Sequence, residues 1–171
     1  MMPTDPLRQP KPLIDRVYAY VAYRVHSRAD SEDITSEVFE RALRYRSSYD
    51  PSRGEPLAWL IGIARRCIDD WRRQLGPQAA PDEWVHTADH AASAIERLAI
   101  ADAIGALDPR ERELIALRYG ADLSSRQIAQ LLDMQANAVD VALHRARGKL
   151  KDLLASDDHA QPVRRLRSES G

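Results

Sequence analysis

Apolar residues recur at three- and four-residue intervals along nearly the whole chain, while β-branched and aromatic residues never alternate over a useful length. That periodicity predicts helices throughout and no strands. A first helix falls over 13–27, "LIDRVYAYVAYRVHS", with Ile14, Val17, Val21 and Val25 inward. A second, "SEDITSEVFERALRYR", takes Asp30 or Ser31 as its cap and lines up Ile34, Val38, Ala42 and Tyr45. Two prolines and a glycine then break the pattern in "SSYDPSRGEP", which reads as a loop. Pro56 suits the first turn of a third helix, "PLAWLIGIARRCIDDWRRQ", ending near Gly76. Its packing stripe is Leu57, Leu60, Ile61, Ala64, Cys67, Ile68 and Trp71.

From Gly76 to about Ala92 the composition shifts to Pro, Ala, Asp and His without sustained period, which predicts a linker with a turn of helix around Trp84. The second half opens with "SAIERLAIADAIGAL". Asp108 with Pro109 and Glu111 then forms a capping-box start for a helix running to about Tyr119, with Gly120 as its left-handed terminal residue. Ser124 with Gln127 makes another capping box, flanked by Leu123 and Ile128 in the positions of a hydrophobic staple. The last helix covers about Ala136 to Leu154, and the polar tail after Ser156, with Arg164, Arg165 and Arg167, is expected to be disordered. The predicted fold is all-α: two small helical domains over 13–75 and 93–155, a flexible linker over 76–92, and disordered ends over 1–12 and 156–171.

Composition narrows the function classes. The 171 residues suit one ordinary domain or two small ones. A net charge of −1 means that any nucleic-acid contact comes from local patches and not from a global field. The single cysteine, Cys67, permits no internal disulfide, fits a reducing cytosol, and reads as core because it lies in an apolar stripe. No apolar run approaches the roughly 18 residues of a membrane span. Prolines stand in "MMPTDPLRQPKPL" where a signal peptide carries its apolar segment, so a cytoplasmic protein is expected. His86 and His90 are four apart, but two ligands do not make a zinc site. Asp69 and Asp70, on a basic helix, are expected to pair with neighbouring arginines. There is no phosphate-binding glycine loop, zinc cysteine set or nucleophile–base pair, so neither an enzyme nor a cofactor is expected.

Two segments carry candidate chemistry. "LSSRQIAQLLDMQANAVDVALHRARGKL" has the form of a helix-turn-helix: Ile128, Leu131 and Leu132 face inward from the first helix, Val139 and Leu143 from the second, with small Ala129 at the crossing. Asn137, Asp140, His144, Arg145 and Arg147 then face outward, and "HRARGKLK" can lie along phosphates. Gln135 and Asn137 could address adenine, and Asp140 could accept from a cytosine amino group. A solvated helical hairpin fits the same pattern. In the third helix, Trp59, Arg66 and Arg73 lie off the packing stripe with Arg65 and Arg72 nearby, next to a loop bearing Tyr49 and Arg53. Exposed aromatic and basic groups together suit a strand with splayed bases, although a packed Trp59 and solvated arginines are the plainer alternative.

The segment from "DSEDITSEVFERALRYR" through "DDWRRQ" resembles region two of the bacterial extracytoplasmic-function sigma factors, and "LDPRERELIALRYG" through "GKLKDLL" resembles their region four. The resemblance covers roughly Leu13 to Leu154, in the family's order. It implies a promoter-recognition subunit that binds the clamp helices and flap of core RNA polymerase, binds promoter DNA, and is held silent by an anti-sigma factor. By position it implies polymerase contact by Asp33, Glu37 and Phe39, with Ser36 standing where glutamine is usual. It assigns minus-ten capture and melting to Tyr49, Arg53, Trp59, Arg65, Arg66, Arg72 and Arg73, with Arg66 in place of a common asparagine. It assigns the minus-thirty-five duplex to Arg126, Gln135, Asn137, Asp140, His144, Arg145 and Arg147. There the chain departs from the family: Asp133 replaces the turn glycine, Gln135 a small cap, Ala138 a threonine, and Asp140 and Ala142 basic residues. Fewer phosphate contacts weaken duplex binding at cellular salt. A sigma mimic that titrates an anti-sigma factor and a stand-alone helix-turn-helix repressor are the alternatives.

Overall fold

The computed structural model describes residues 5–76 and 94–165, and all regular structure among them is helical. The linker histidines His86 and His90 and the turn expected around Trp84 lie outside the described residues.

The first half is three helices. Helix α1 spans Pro10–Val25, starting earlier than the apolar pattern predicts because proline at its first position needs no amide partner. Leu7, ahead of it, packs on the core, so the end expected to be disordered over 1–12 is ordered from residue 5. Helix α2 spans Arg28–Arg44. Its cap is Ser27, whose Oγ accepts from the Asp30 amide at 3.3 Å, and not Asp30 or Ser31. Helix α3 spans Pro56–Leu75. The stripes close as expected over Val17, Val21, Val25, Ile34, Val38, Leu60, Ile61, Cys67 and Ile68, with two corrections. Ile14 and Tyr45 are exposed, whereas Tyr20 is fully buried. Burial pushes the Cys67 thiol up to about 11, so it behaves as core.

The second half comprises α4 (Ala94–Gly105), α5 (Pro109–Ile115), α6 (Ser125–Leu132) and α7 (Ala136–Arg165). Both capping boxes form: Asp108 accepts from the amides of Arg110 and Glu111, and Ser124 accepts from that of Gln127. Leu123 and Ile128, the predicted staple, are fully buried. Beyond α5 the chain makes a π-helical turn over Ala116–Gly120. Gly120 is not left-handed; Asp122 takes that conformation at φ 53°, as Asp133 does between α6 and α7. Aspartate tolerates this region better than most residues, so the missing turn glycine leaves the helix-turn-helix intact. Helix α7 runs to Arg165, past both the expected end at Leu154 and the start of the tail expected to be disordered, and it includes Pro162.

The two halves share one core. Val17, Tyr20 and Val21 belong to the same buried cluster as Leu114, Leu117, Leu123 and Ile128. The halves approach closely at Gly120, where an added Cβ would lie 2.9 Å from the backbone of Tyr20 in α1. Absence of a side chain there is a packing requirement and not a backbone one.

Candidate nucleic-acid interface

Three surfaces receive the residues singled out above. The first is a cleft formed by the loop between α2 and α3 with the start of α3. Two short 3₁₀ turns, Arg46–Ser48 and Pro51–Arg53, shape the loop. Asp50 caps the second by accepting from the Ser52 hydroxyl and amide, hydrogen bonds that hold its carboxyl below the usual range. Tyr49 donates its hydroxyl to the Gly54 carbonyl at 3.0 Å, and its ring sits 5.5 Å from that of Trp59 at 56°. Burial raises the Tyr49 hydroxyl, with the carboxylates of Glu55 and Asp50 adding to the effect. Trp59 is half-buried: it packs on the core and also lines the cleft. Arg53 and Arg66 are exposed at its rim. Gln127, Gln130 and Leu131 of α6 form its other wall.

The other predicted minus-ten cations are not brought there. Arg65 turns to Glu113 of α5, donating from Nε at 2.8 Å. Arg72 is half-buried and reaches the Arg24 carbonyl at 3.4 Å, and desolvation lowers its pKa, helped by the Arg24 charge. The resemblance assigns both to minus-ten DNA; in this arrangement Arg65 faces Glu113 of the second half and Arg72 faces the Arg24 carbonyl of α1. Arg73 remains exposed but pairs with Asp70, which Arg41 also binds at 3.0 Å. Asp70 thus meets the expectation of pairing with arginines, and its bond to Arg41 holds its carboxyl below the ordinary value.

The second surface is on α2. Asp33 is exposed and Glu37 half-exposed, paired with Arg41 one turn on. Phe39 is half-buried against the core, leaving only part of its ring for a partner.

The third surface is the outward face of α7 with the start of α6. Val139, Leu143 and Ala146 are buried, which turns Asn137, Asp140, Val141, His144, Arg145 and Arg147 outward. Arg126 and Gln135 are exposed as well. Asp140 accepts a hydrogen bond from Ser125 Oγ in the first turn of α6, so its carboxylate stands at the edge of the reading face. Val141, absent from the sequence reading, is 46% exposed in the middle of that face. The clue was available: the helical period that buries Val139 and Leu143 turns Val141 outward.

The seam between the halves was not legible beforehand. Glu113, with a side chain 11% exposed, faces Arg24 at 3.2 Å and Arg65 at 2.8 Å. Arg16 donates to the Ala121 and Asp122 carbonyls, each at 2.8 Å. Beside them His26 is pushed down to about 3, by burial first and then by Arg112, Arg72 and Arg24. Among the described residues no three His, Cys, Asp or Glu side chains gather as a metal site, and no helix is long and apolar enough to cross a membrane.

Comparisons with known proteins agree with this layout. The family described as Sigma-70 region 2 matches residues 11–76, and Sigma-70, region 4 matches residues 97–150. The chain is 31% identical over 152 residues to the ECF RNA polymerase sigma factor BldN of Streptomyces coelicolor, across 84% of this chain and 58% of that protein. It is 30% identical over 148 residues to the ECF RNA polymerase sigma factor SigK of Mycobacterium sp. strain KMS, across 81% and 75%. Among solved structures it shares the fold of the sigma factor RpoE of Bartonella quintana in complex with the anti-sigma factor NepR, with TM-score 0.72 and 19% identity over 86% of this chain and 94% of that one. It likewise shares the fold of CnrH in complex with the cytosolic domain of CnrY, with TM-score 0.62 and 24% identity over 88% and 86%.

Proposed function

We infer the function of this chain from the family to which it belongs, the ECF RNA polymerase sigma factors. It acts as a dissociable promoter-recognition subunit of core RNA polymerase, in the cytoplasm, with no catalysis of its own. The observation that carries this reading is the Tyr49–Trp59 cleft with arginines at its rim, followed in the chain by an intact helix-turn-helix.

Each surface has a distinct task. The cleft offers two tilted rings on which an unpaired base stacks, with Arg53 and Arg66 placed for its phosphates or edge. Capturing a base out of the duplex at the minus-ten element favours melting there. On α7, Asn137 and His144 address base edges, Val141 suits a thymine methyl, and Arg126, Arg145 and Arg147 address phosphates of the minus-thirty-five duplex. Asp33, exposed on α2, and Glu37, half-exposed and paired with Arg41, present carboxylates to the polymerase clamp. An anti-sigma factor is the implied regulatory partner, in keeping with the complex of the sigma factor RpoE with the anti-sigma factor NepR.

The test is co-elution with bacterial core RNA polymerase on a sizing column, beside an Asp33→Ala, Glu37→Ala double variant. Stable co-elution that the double variant weakens supports the reading. No co-elution by a folded chain overturns it and brings a sigma mimic forward.

A further inference from the structure

We propose that Asp140 is a base-reading residue, taking the exocyclic amino group of a cytosine in the minus-thirty-five duplex, and that Ser125 positions it for that task. The role rests on the sigma-factor reading and specifies one base that the second half selects.

Placement on α7 puts Asp140 where base edges are read. Asn137, Asp140, His144 and Arg147 follow one another at intervals of three and four, and all four are exposed. Val139, Leu143 and Ala146, buried behind them, fix which way that face turns. From Ala136 to Leu143 the helix carries no cation, and Asp140 is its single charged group. This stretch therefore has no arginine or lysine to pair with guanine, and its one strong acceptor calls for a donor.

The groove edges decide which base answers. In the major groove guanine shows two acceptors, and thymine shows an acceptor and a methyl group, so a carboxylate meets no donor on either. Adenine has an amino donor with the N7 acceptor beside it. Cytosine alone offers a donor with no acceptor on the same base. Among phosphates a carboxylate is repelled unless it gains such a bond, so Asp140 also selects against the other three bases.

Its orientation is not left to solvent. Ser125, half-buried in the first turn of α6, donates its hydroxyl to Oδ1 of Asp140, fifteen residues on. A carboxylate has about four acceptor sites, so the rest of the group stays available to an amino group. A side chain held in place beforehand loses less freedom on binding.

The test uses the full chain reconstituted with core RNA polymerase. Promoters are recovered from a library randomised across the minus-thirty-five element and sequenced, with circular dichroism confirming that each variant is folded. The unaltered chain should favour cytosine at one position about 5-fold over each other base. Asp140→Asn keeps an acceptor for Ser125 and adds an amide donor, so at that position alone cytosine should lose its advantage and adenine gain it. Ser125→Ala should cut the cytosine preference to about 2-fold and leave neighbouring positions unchanged. A bond that only joins α6 to α7 would instead weaken every position alike. No position enriched in cytosine, or a cytosine preference that survives Asp140→Asn, overturns the reading role. Uniform weakening by Ser125→Ala, or no change, overturns the positioning role. In these outcomes the chain still co-elutes with core polymerase; a chain that does not co-elute overturns the sigma-factor reading and this role with it.

Discussion

Around Trp59 the surface is concave and lined by two rings, by Arg53 and Arg66 and by the carboxylates of Asp50 and Glu55, whereas along α7 it is convex, with Asp140 tied to Ser125 at its edge and Arg145 and Arg147 exposed further along. The concave surface is suited to an unpaired base, which needs rings above and beside it. The convex one is suited to a duplex groove, yet its centre holds Val141 where a cation would strengthen phosphate contact. On the proposed function the cleft takes an unpaired base and α7 the duplex, where Arg126, Arg145 and Arg147 address phosphates and Asp140 and Val141 do not.

The comparison breaks most visibly at Trp59. Trp59→Ala removes one stacking partner worth about 1–3 kcal/mol, a loss of about 5- to 150-fold in promoter opening, read by run-off transcription with circular dichroism as the folding control. Trp59→Phe keeps a ring and should retain most activity.

Next in size is the seam between the two surfaces. His26 is held near 3 against an ordinary value of 6.5, facing Arg24 of its own helix, Arg72 of α3 and Arg112 of α5. The unfolded chain takes up a proton below pH 6.5 and the native chain does not. Native stability is therefore whole above about pH 6.5 and falls as pH drops toward about 3. The expected loss between pH 7 and pH 5 is about 2 kcal/mol, measured by urea unfolding, and His26→Asn should flatten it.

Smaller effects sharpen the contrast. Asp140→Lys should tighten duplex binding several-fold and steepen the logarithmic salt dependence by about 0.9 for the phosphate gained, as read by anisotropy titration. Trp59→Ala should leave that salt slope unchanged. Smallest is Tyr49→Phe, which loses only the hydroxyl bond to Gly54 and should slow promoter opening about 2- to 3-fold.

What the sequence made legible follows from the range of the forces involved. Caps and stripes are local, so the boxes at Asp108 and Ser124, the staple of Leu123 with Ile128, and the buried face of α3 were all readable. Ser27 was missed as the α2 cap because Asp30 and Ser31, two other capping residues, stand close behind it. The contacts of Arg65, Arg16 and Glu113 span 48 to 106 residues, and no periodicity encodes them. Gly120 is instructive because the sequence signal was real and its cause was not a helix end: the glycine answers to α1, a hundred residues away. The minus-ten cations split for the same reason, with Arg66 left at the cleft and Arg65 drawn into the seam.

The central claim is that this chain gives core RNA polymerase a promoter preference. The most direct measurement is sequencing of RNA 5′ ends made from genomic DNA of the source bacterium by core polymerase, with and without the chain. New, discrete start sites are expected that share one motif near minus ten and a second near minus thirty-five, with the first lost in Trp59→Ala. An unchanged set of ends, from a folded chain and an active polymerase, would contradict it.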